Sequence, residues 1–154
     1  MKLKEELLKI TQCLDQAGID YGLCGGLAVV VHGYPRLTKD IDILIRPESL
    51  ELAKEELARI EYDLEAGLFR FKHGDSNENL MYRVSRAFGT ELTTLDLMLV
   101  APAFEAVWAD RQIIQLGNHR LKVVSKSGLI TMKRLSGRPQ DLADIDALNR
   151  IENP

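Results

Sequence analysis

Cys24-Gly25-Gly26-Leu27 and, beyond the loop Tyr34 to Lys39, Asp40-Ile41-Asp42-Ile43-Leu44-Ile45 are the segments on which the reading of this chain turns. The second alternates acid and aliphatic residues and predicts a strand. Side chains alternate faces on a strand, so Asp40 and Asp42 share one face while Ile41 and Ile43 point toward a core. Aspartate is a poor strand former, and two on one face repel each other. A divalent cation removes that penalty. Oxygen-only ligands favour a hard ion; magnesium is the usual choice for phosphate substrates, with manganese as the alternative. A solvated strand face paired with Lys39 or Arg36 is the competing explanation.

The first segment places Gly25-Gly26 between a short apolar strand, 21–24, and a helix over 27–32 closed by Gly33. Glycine lets the backbone approach a ligand, and a helix N-terminus offers free N–H groups, so the pair is a candidate phosphate cradle just before the acids. Tight turns use glycine constantly, and it is the spacing to Asp40 and Asp42 that gives the pair weight. His32 is explained by its place at a helix C-terminus.

Outward from there, 2–17 reads as an amphipathic helix stopped by Gly18, and Ser49 as the cap of a helix over 50–60. Strands are expected around 68–71, over 81–88 and over 92–100, with a turn at Gly74-Asp75-Ser76-Asn77. A short helix from Pro102 to Trp108 precedes a hairpin, 111–116 and 120–124, turned by Gly117-Asn118. Ser125 caps a helix to about 135, and Pro139 opens a last one to about 151. Trp108, Phe69 and Phe71 are assigned to the core; His73 and His119 receive no role. The order is neither a strict βα alternation nor all-β. It predicts an α+β fold, a mixed sheet covered by helices, in one domain spanning 1–154. The core is expected over about 18–124 and a C-terminal helical part over about 125–151.

The chain has 154 residues, 45% hydrophobic and 28% charged, enough for one sizeable core and unlike a disordered segment. With 20 Lys+Arg against 23 Asp+Glu, bulk charge does not favour tight sequence-independent nucleic-acid binding. Cys13 and Cys24 read as small core residues in a reducing compartment rather than a disulfide framework. No apolar run has the length of a membrane span, and the N-terminus lacks a signal-peptide h-region, so a cytoplasmic location without membrane contact is expected. The amphipathic terminal helices permit a homodimer.

A third acid, Asp96, lies in Leu92-Thr93-Thr94-Leu95-Asp96-Leu97-Met98-Leu99-Val100, a run otherwise suited to burial. An unpaired buried carboxylate is costly. If this strand pairs beside the first, three carboxylates could form a two-metal site for phosphoryl or nucleotidyl transfer. A structural acid bonded to backbone or to arginine is the alternative.

Gly25-Gly26, His32-Gly33, Arg36, Thr38 and Asp40-Ile41-Asp42 together resemble the nucleotidyltransferase superfamily. Gly-Gly-Leu-Ala followed by His-Gly-Tyr-Pro-Arg-Leu-Thr-Lys-Asp-Ile-Asp is closest to the branch related to AbiEii toxins, which includes small stand-alone proteins. Lys133, then Gly137-Arg138-Pro139-Gln140-Asp141-Leu142-Ala143-Asp144-Ile145, resembles that branch's late Lys-Arg-Asp-Asp motif. The resemblance implies a nucleotidyltransferase-like fold and transfer of a nucleoside monophosphate from an NTP to a hydroxyl of RNA, protein or a small molecule. It implies that Gly25 and Gly26 hold the nucleotide phosphates and that Asp40 and Asp42 bind two metal ions. Asp96 would be the third metal ligand and would activate the acceptor. Lys133 would neutralise phosphate charge, and Arg36 and Thr38 would shape the loop near the nucleotide. A toxin–antitoxin or phage-defence setting, with a cognate antitoxin or toxin protein as partner, is also implied.

Arg138, Asp141 and Asp144 have two readings, either contact with nucleotide or metal, or capping of the last helix with Leu142, Ile145 and Leu148 as its buried stripe. Two rivals to the enzyme stay open: a non-catalytic nucleotide- or partner-binding module of the same fold, and a structural cation site in a plain α+β domain.

Overall fold

The alternating 40–45 segment is the central strand of a seven-stranded mixed sheet. The computed structural model describes residues 3–72 and 78–150, with side chains at 71, 72 and 78 left out. The elements run α1 (Leu3–Gln16), β1 (Gly22–Cys24), α2 (Gly25–Val31), β2 (Asp40–Ile45), α3 (Leu50–Ala58), β3 (Leu64–Lys72), β4 (Glu78–Phe88) and β5 (Glu91–Leu99). Then come α4 (Glu105–Ala109), β6 (Gln112–Leu116), β7 (His119–Val123), α5 (Lys126–Ser136) and α6 (Pro139–Arg150). The sheet order is β3-β4-β5-β2-β1-β7-β6. Pairings β2–β5 and β1–β7 are parallel and the others antiparallel. This is the expected α+β architecture.

Alternation along β2 sorts its two faces. Ile41, Ile43 and Ile45 are fully buried, each contributing about 1.5–3 kcal/mol over an exposed position. Their face continues through Leu95 and Leu97 to Tyr82 and Val84. Helices α1 and α3 cover it: Lys54 lies 4.9 Å from the Tyr82 ring, and Glu6 accepts from Arg86 at 3.3 Å. Glu6 is buried in α1 because the Tyr62 hydroxyl also donates to it, at 2.7 Å. The opposite face carries Asp40 and Asp42 and is covered near β1 and β2 by α2, on which α5 packs, with α6 against α5.

Helix ends follow local chemistry. The Ser125 hydroxyl accepts from Gly128 N at 3.1 Å, the expected cap of α5. Gly137, at φ 66°, closes that helix by donating to the Lys133 carbonyl at 2.9 Å. Ser49 differs from expectation: a 3-10 turn over Pro47–Ser49 leads into α3, Ser49 is already helical, and its side chain makes no cap bond. Helix α2 starts at Gly25 itself, directly after β1, rather than at Leu27.

Two packing expectations are corrected. Phe69 is 41% exposed, because β3 is an edge strand with little to cover it; Trp108 is buried as expected. On α6 the buried positions are Asp141, Asp144, Ala147 and Leu148, while Leu142 is 59% exposed. The stripe is rotated so that acids face inward, where lysine and arginine meet them. The expected turn at Gly74-Asp75-Ser76-Asn77 and His73 lie outside the described residues. Both cysteines are free. Among the described residues no helix is long and apolar enough to cross a membrane.

Candidate active site

Register brings the three predicted acids onto one face. Asp42 pairs with Cys24 on β1 and with Asp96 on β5. Asp96 in turn pairs with Arg83 on β4. One transverse row therefore reads Cys24, Asp42, Asp96, Arg83. Asp40, one step along β2, is exposed at its open end beside Thr94, and Thr94 shares a 3.2 Å hydroxyl contact with Ser85.

Asp96 is only 4% exposed and is held in a bidentate ion pair: Arg83 Nε donates to Oδ1 at 2.8 Å and Nη2 to Oδ2 at 3.0 Å. This fork geometry is the strong form of a carboxylate hydrogen bond. Asp42 has no such partner. Burial, the neighbouring Asp96 and Asp40 charges, and a hydrogen bond with Asp96 push its carboxyl up to about 7, and Lys133 acts weakly against them. The row thus carries more negative charge than its cations offset.

The glycines are explained by the side chains against them. Gly25 has φ 66°, and a Cβ there would lie 2.1 Å from Asp42 Oδ2. A Cβ on Gly26 would lie 2.8 Å from Thr38 Oγ1 and 3.3 Å from Arg36 Cζ. The pair lets the first turn of α2 press onto the acid and onto the loop that precedes β2.

Behind the loop sits a buried ion cluster. Asp144, fully buried, accepts from Arg36 Nη1 at 2.5 Å, Lys133 Nζ at 2.9 Å and Gln140 Nε2 at 3.0 Å. Asp141 accepts from Arg138 Nε at 2.8 Å and from the Arg138 backbone N–H at 3.2 Å, and stands 3.7 Å from Lys133. Burial raises the Asp141 carboxyl, and its hydrogen bond from Arg138, with smaller contributions, brings it below the ordinary value. Asp141 thus ties into the first turn of α6, and Asp144 bridges α5, α6 and the loop. His32 Nε2 bonds the Val124 carbonyl at 2.8 Å, joining the end of α2 to the end of β7.

Among the described residues no three or more His, Cys, Asp or Glu side chains are arranged as a finished metal cage. Asp96 is turned to Arg83 instead. The donor set nevertheless fits a hard divalent cation: three carboxylates on one face, one of them pushed toward protonation by burial and by its two acidic neighbours. Asp40, Asp42 and Asp96 are the residues that could hold it.

Arg83 is the residue that the sequence reading missed. Its signal was present in the alternation of Arg83 and Ser85 against Tyr82 and Val84, which puts Arg83 on the face away from the core. Its partner could not be named without knowing that β4 lies beside β5.

No protein-family model matches the chain, and a search of curated proteins gave no match. Solved structures do match. A candidate nucleotidyltransferase of Thermotoga maritima superimposes with a TM-score of 0.61 at 14% identity, covering 98% of this chain and 94% of that one. The structure of ANT(2'')-Ia in complex with adenylyl-2''-tobramycin gives 0.59 at 13% identity, covering 96% and 88%. The solution structure of ANT(2'')-Ia, an antibiotic-resistance factor, gives 0.58 at 12% identity, covering 92% and 80%. The chain has the fold of the nucleotidyltransferases.

Proposed function

We propose that the protein is a metal-dependent nucleotidyltransferase that moves a nucleoside monophosphate from an NTP to a hydroxyl acceptor. The observation that carries this reading is the register of β2 with β5, which sets Asp42 beside Asp96 on the face of Asp40. Similarity of fold to nucleotidyltransferases supports it.

In this reading Asp40 and Asp42 would hold magnesium, and Asp96 would complete the set. The ions would supply charge neutralisation of the triphosphate and activation of the acceptor hydroxyl. Gly25 and Gly26 offer backbone N–H groups to phosphate at the start of α2. Lys133 and Arg36, anchored by Asp144, supply positive charge beside the row, and Thr38 packs over Gly26. Asp141 and Arg138 fix the start of α6. The acceptor oxygen attacks the α-phosphorus, the bond from that phosphorus to the bridging oxygen breaks, and pyrophosphate leaves. The hydroxyl proton passes to a carboxylate oxygen of Asp96. The acceptor classes are RNA, protein and small hydroxyl compounds. The Gly-Gly and late Lys-Arg-Asp-Asp motifs favour a toxin–antitoxin setting of the AbiEii type.

A second reading, a non-catalytic binding module, draws on the Arg83–Asp96 pair, which satisfies the third acid without metal. Incubation with α-labelled NTPs and magnesium, over RNA, protein and aminoglycoside acceptors, separates the two. Label transfer that disappears in Asp42→Asn supports the enzyme. NTP binding without transfer supports the module, and no magnesium-dependent NTP binding at millimolar concentration overturns the enzyme and the nucleotide-binding form of the module.

A further inference from the structure

The Arg83–Asp96 pair has a bearing on how the site is filled. Arg83 lies in the same transverse row as the acids and donates two hydrogen bonds to Asp96, its one ion-pair partner among the described residues. The Asp96 side chain is 5% exposed and that of Arg83 is 39% exposed, so the carboxylate is fixed while the guanidinium borders open space. The Phe69 ring lies 5.6 Å from the guanidinium carbon and gives it an apolar neighbour on the outer strand. Each oxygen of Asp96 accepts one hydrogen bond from this fork, so a cation that bridges Asp42 and Asp96 would share an oxygen with the guanidinium and stand beside its charge. Arg83 and a metal ion therefore compete for the same carboxylate, because both are cations and simultaneous close approach is repulsive.

Resting on the functional reading above, we propose that Arg83 is a positioning residue that keeps Asp96 occupied until a divalent cation arrives with a nucleoside triphosphate, so that metal loads with the nucleotide rather than ahead of it. The triphosphate supplies what the free ion lacks: anionic oxygens that complete the metal's coordination and compensate Arg83 when it swings off Asp96. Arginine suits this role better than lysine, because its rigid fork covers both carboxylate oxygens.

The test is Mn2+ binding to the full chain, read by electron paramagnetic resonance of free Mn2+, with and without a non-hydrolysable ATP analogue. In the wild type Mn2+ alone binds weakly and the analogue strengthens it. Arg83→Gln raises affinity for Mn2+ alone by about tenfold, a size typical of coupled sites, and shrinks the gain from the analogue. Arg83→Lys gives an intermediate gain. The gain is lost when Asp96→Asn is added to Arg83→Gln. Circular dichroism establishes that each variant is folded, and Arg83→Lys carries the test if Arg83→Gln is not. Loss of a merely structural residue would weaken binding. Unchanged or weaker Mn2+ affinity in the folded Arg83 variants, with the wild type binding Mn2+ and analogue, overturns this proposal alone. Absence of any Mn2+ binding in the wild type, with or without analogue, overturns the functional reading on which it stands.

Discussion

Asp42 and Asp96 are register partners on adjacent parallel strands, so one row of the sheet sets two carboxylates side by side with no basic side chain between them. Replacing Asp42 by Asn should lower nucleotidyl transfer at least about a hundredfold, as expected for removal of a group that stabilises developing charge. The measurement is label transfer per minute at saturating NTP and magnesium. Retention of more than a tenth of the wild-type rate would remove Asp42 from the proposed chemistry.

The same pair makes stability depend on pH. The Asp42 carboxyl is raised to about 7, chiefly by burial and then by Asp96 and Asp40. A raised carboxyl takes up a proton on folding between its unfolded value and 7, so its contribution is present at low pH and is lost as pH rises through 7. Thermal melts in EDTA should show the wild type losing on the order of 1 kcal/mol between pH 6 and pH 8. Asp42→Asn should flatten that slope, and magnesium should restore stability at pH 8. Parallel slopes in wild type and variant would refute the assignment.

Gly25 cannot carry a side chain without moving Asp42. Its φ is 66° and a Cβ would sit 2.1 Å from the Asp42 carboxylate oxygen. Gly25→Ala should cost about 2 kcal/mol or more in urea unfolding, from left-handed strain added to a steric clash. It should also weaken Mn2+ binding in the presence of the ATP analogue. A variant with wild-type stability would show that the first turn of α2 does not press on the acid.

Asp144 compensates buried Lys133 and half-buried Arg36. Asp144→Leu leaves Arg36 without its acid and Lys133 with only Asp141, at 3.7 Å, and should cost about 3–5 kcal/mol. Adding Lys133→Met should recover part of the loss, because the buried charge is then removed with its partner. Denaturant titration of the two variants reads both numbers, and additive losses would contradict the coupling.

The facing of α6 gives a simpler check. Leu142→Lys should change stability by no more than about 0.5 kcal/mol, and Leu148→Ala should cost about 2–5 kcal/mol. Reversal of that order would restore the leucine stripe.

The strand and helix pattern was readable because its signals are local. Asp-Ile alternation, Gly18, Gly117-Asn118, Ser125 and Pro139 each impose their geometry within a few residues, and each does so here. The placement of Asp96 was readable only as a condition on strand order, which depends on pairing between distant segments. The partner of Arg83 was illegible for the same reason, although its face was readable. On α6 hydrophobic periodicity gave the right face for Leu148 but not for Leu142, since charge compensation by Arg36 and Lys133 turns Asp141 and Asp144 inward. At Ser49 the Pro47 turn had already begun the helix, so no cap was required.

Strand β2 precedes β5 in the chain with α3, β3 and β4 between them, and without β5 one backbone edge of β2 lies open. Inward-facing charge on an open edge discourages pairing with a foreign strand. Two acids on one face thus make β2 a poor match for a foreign apolar edge.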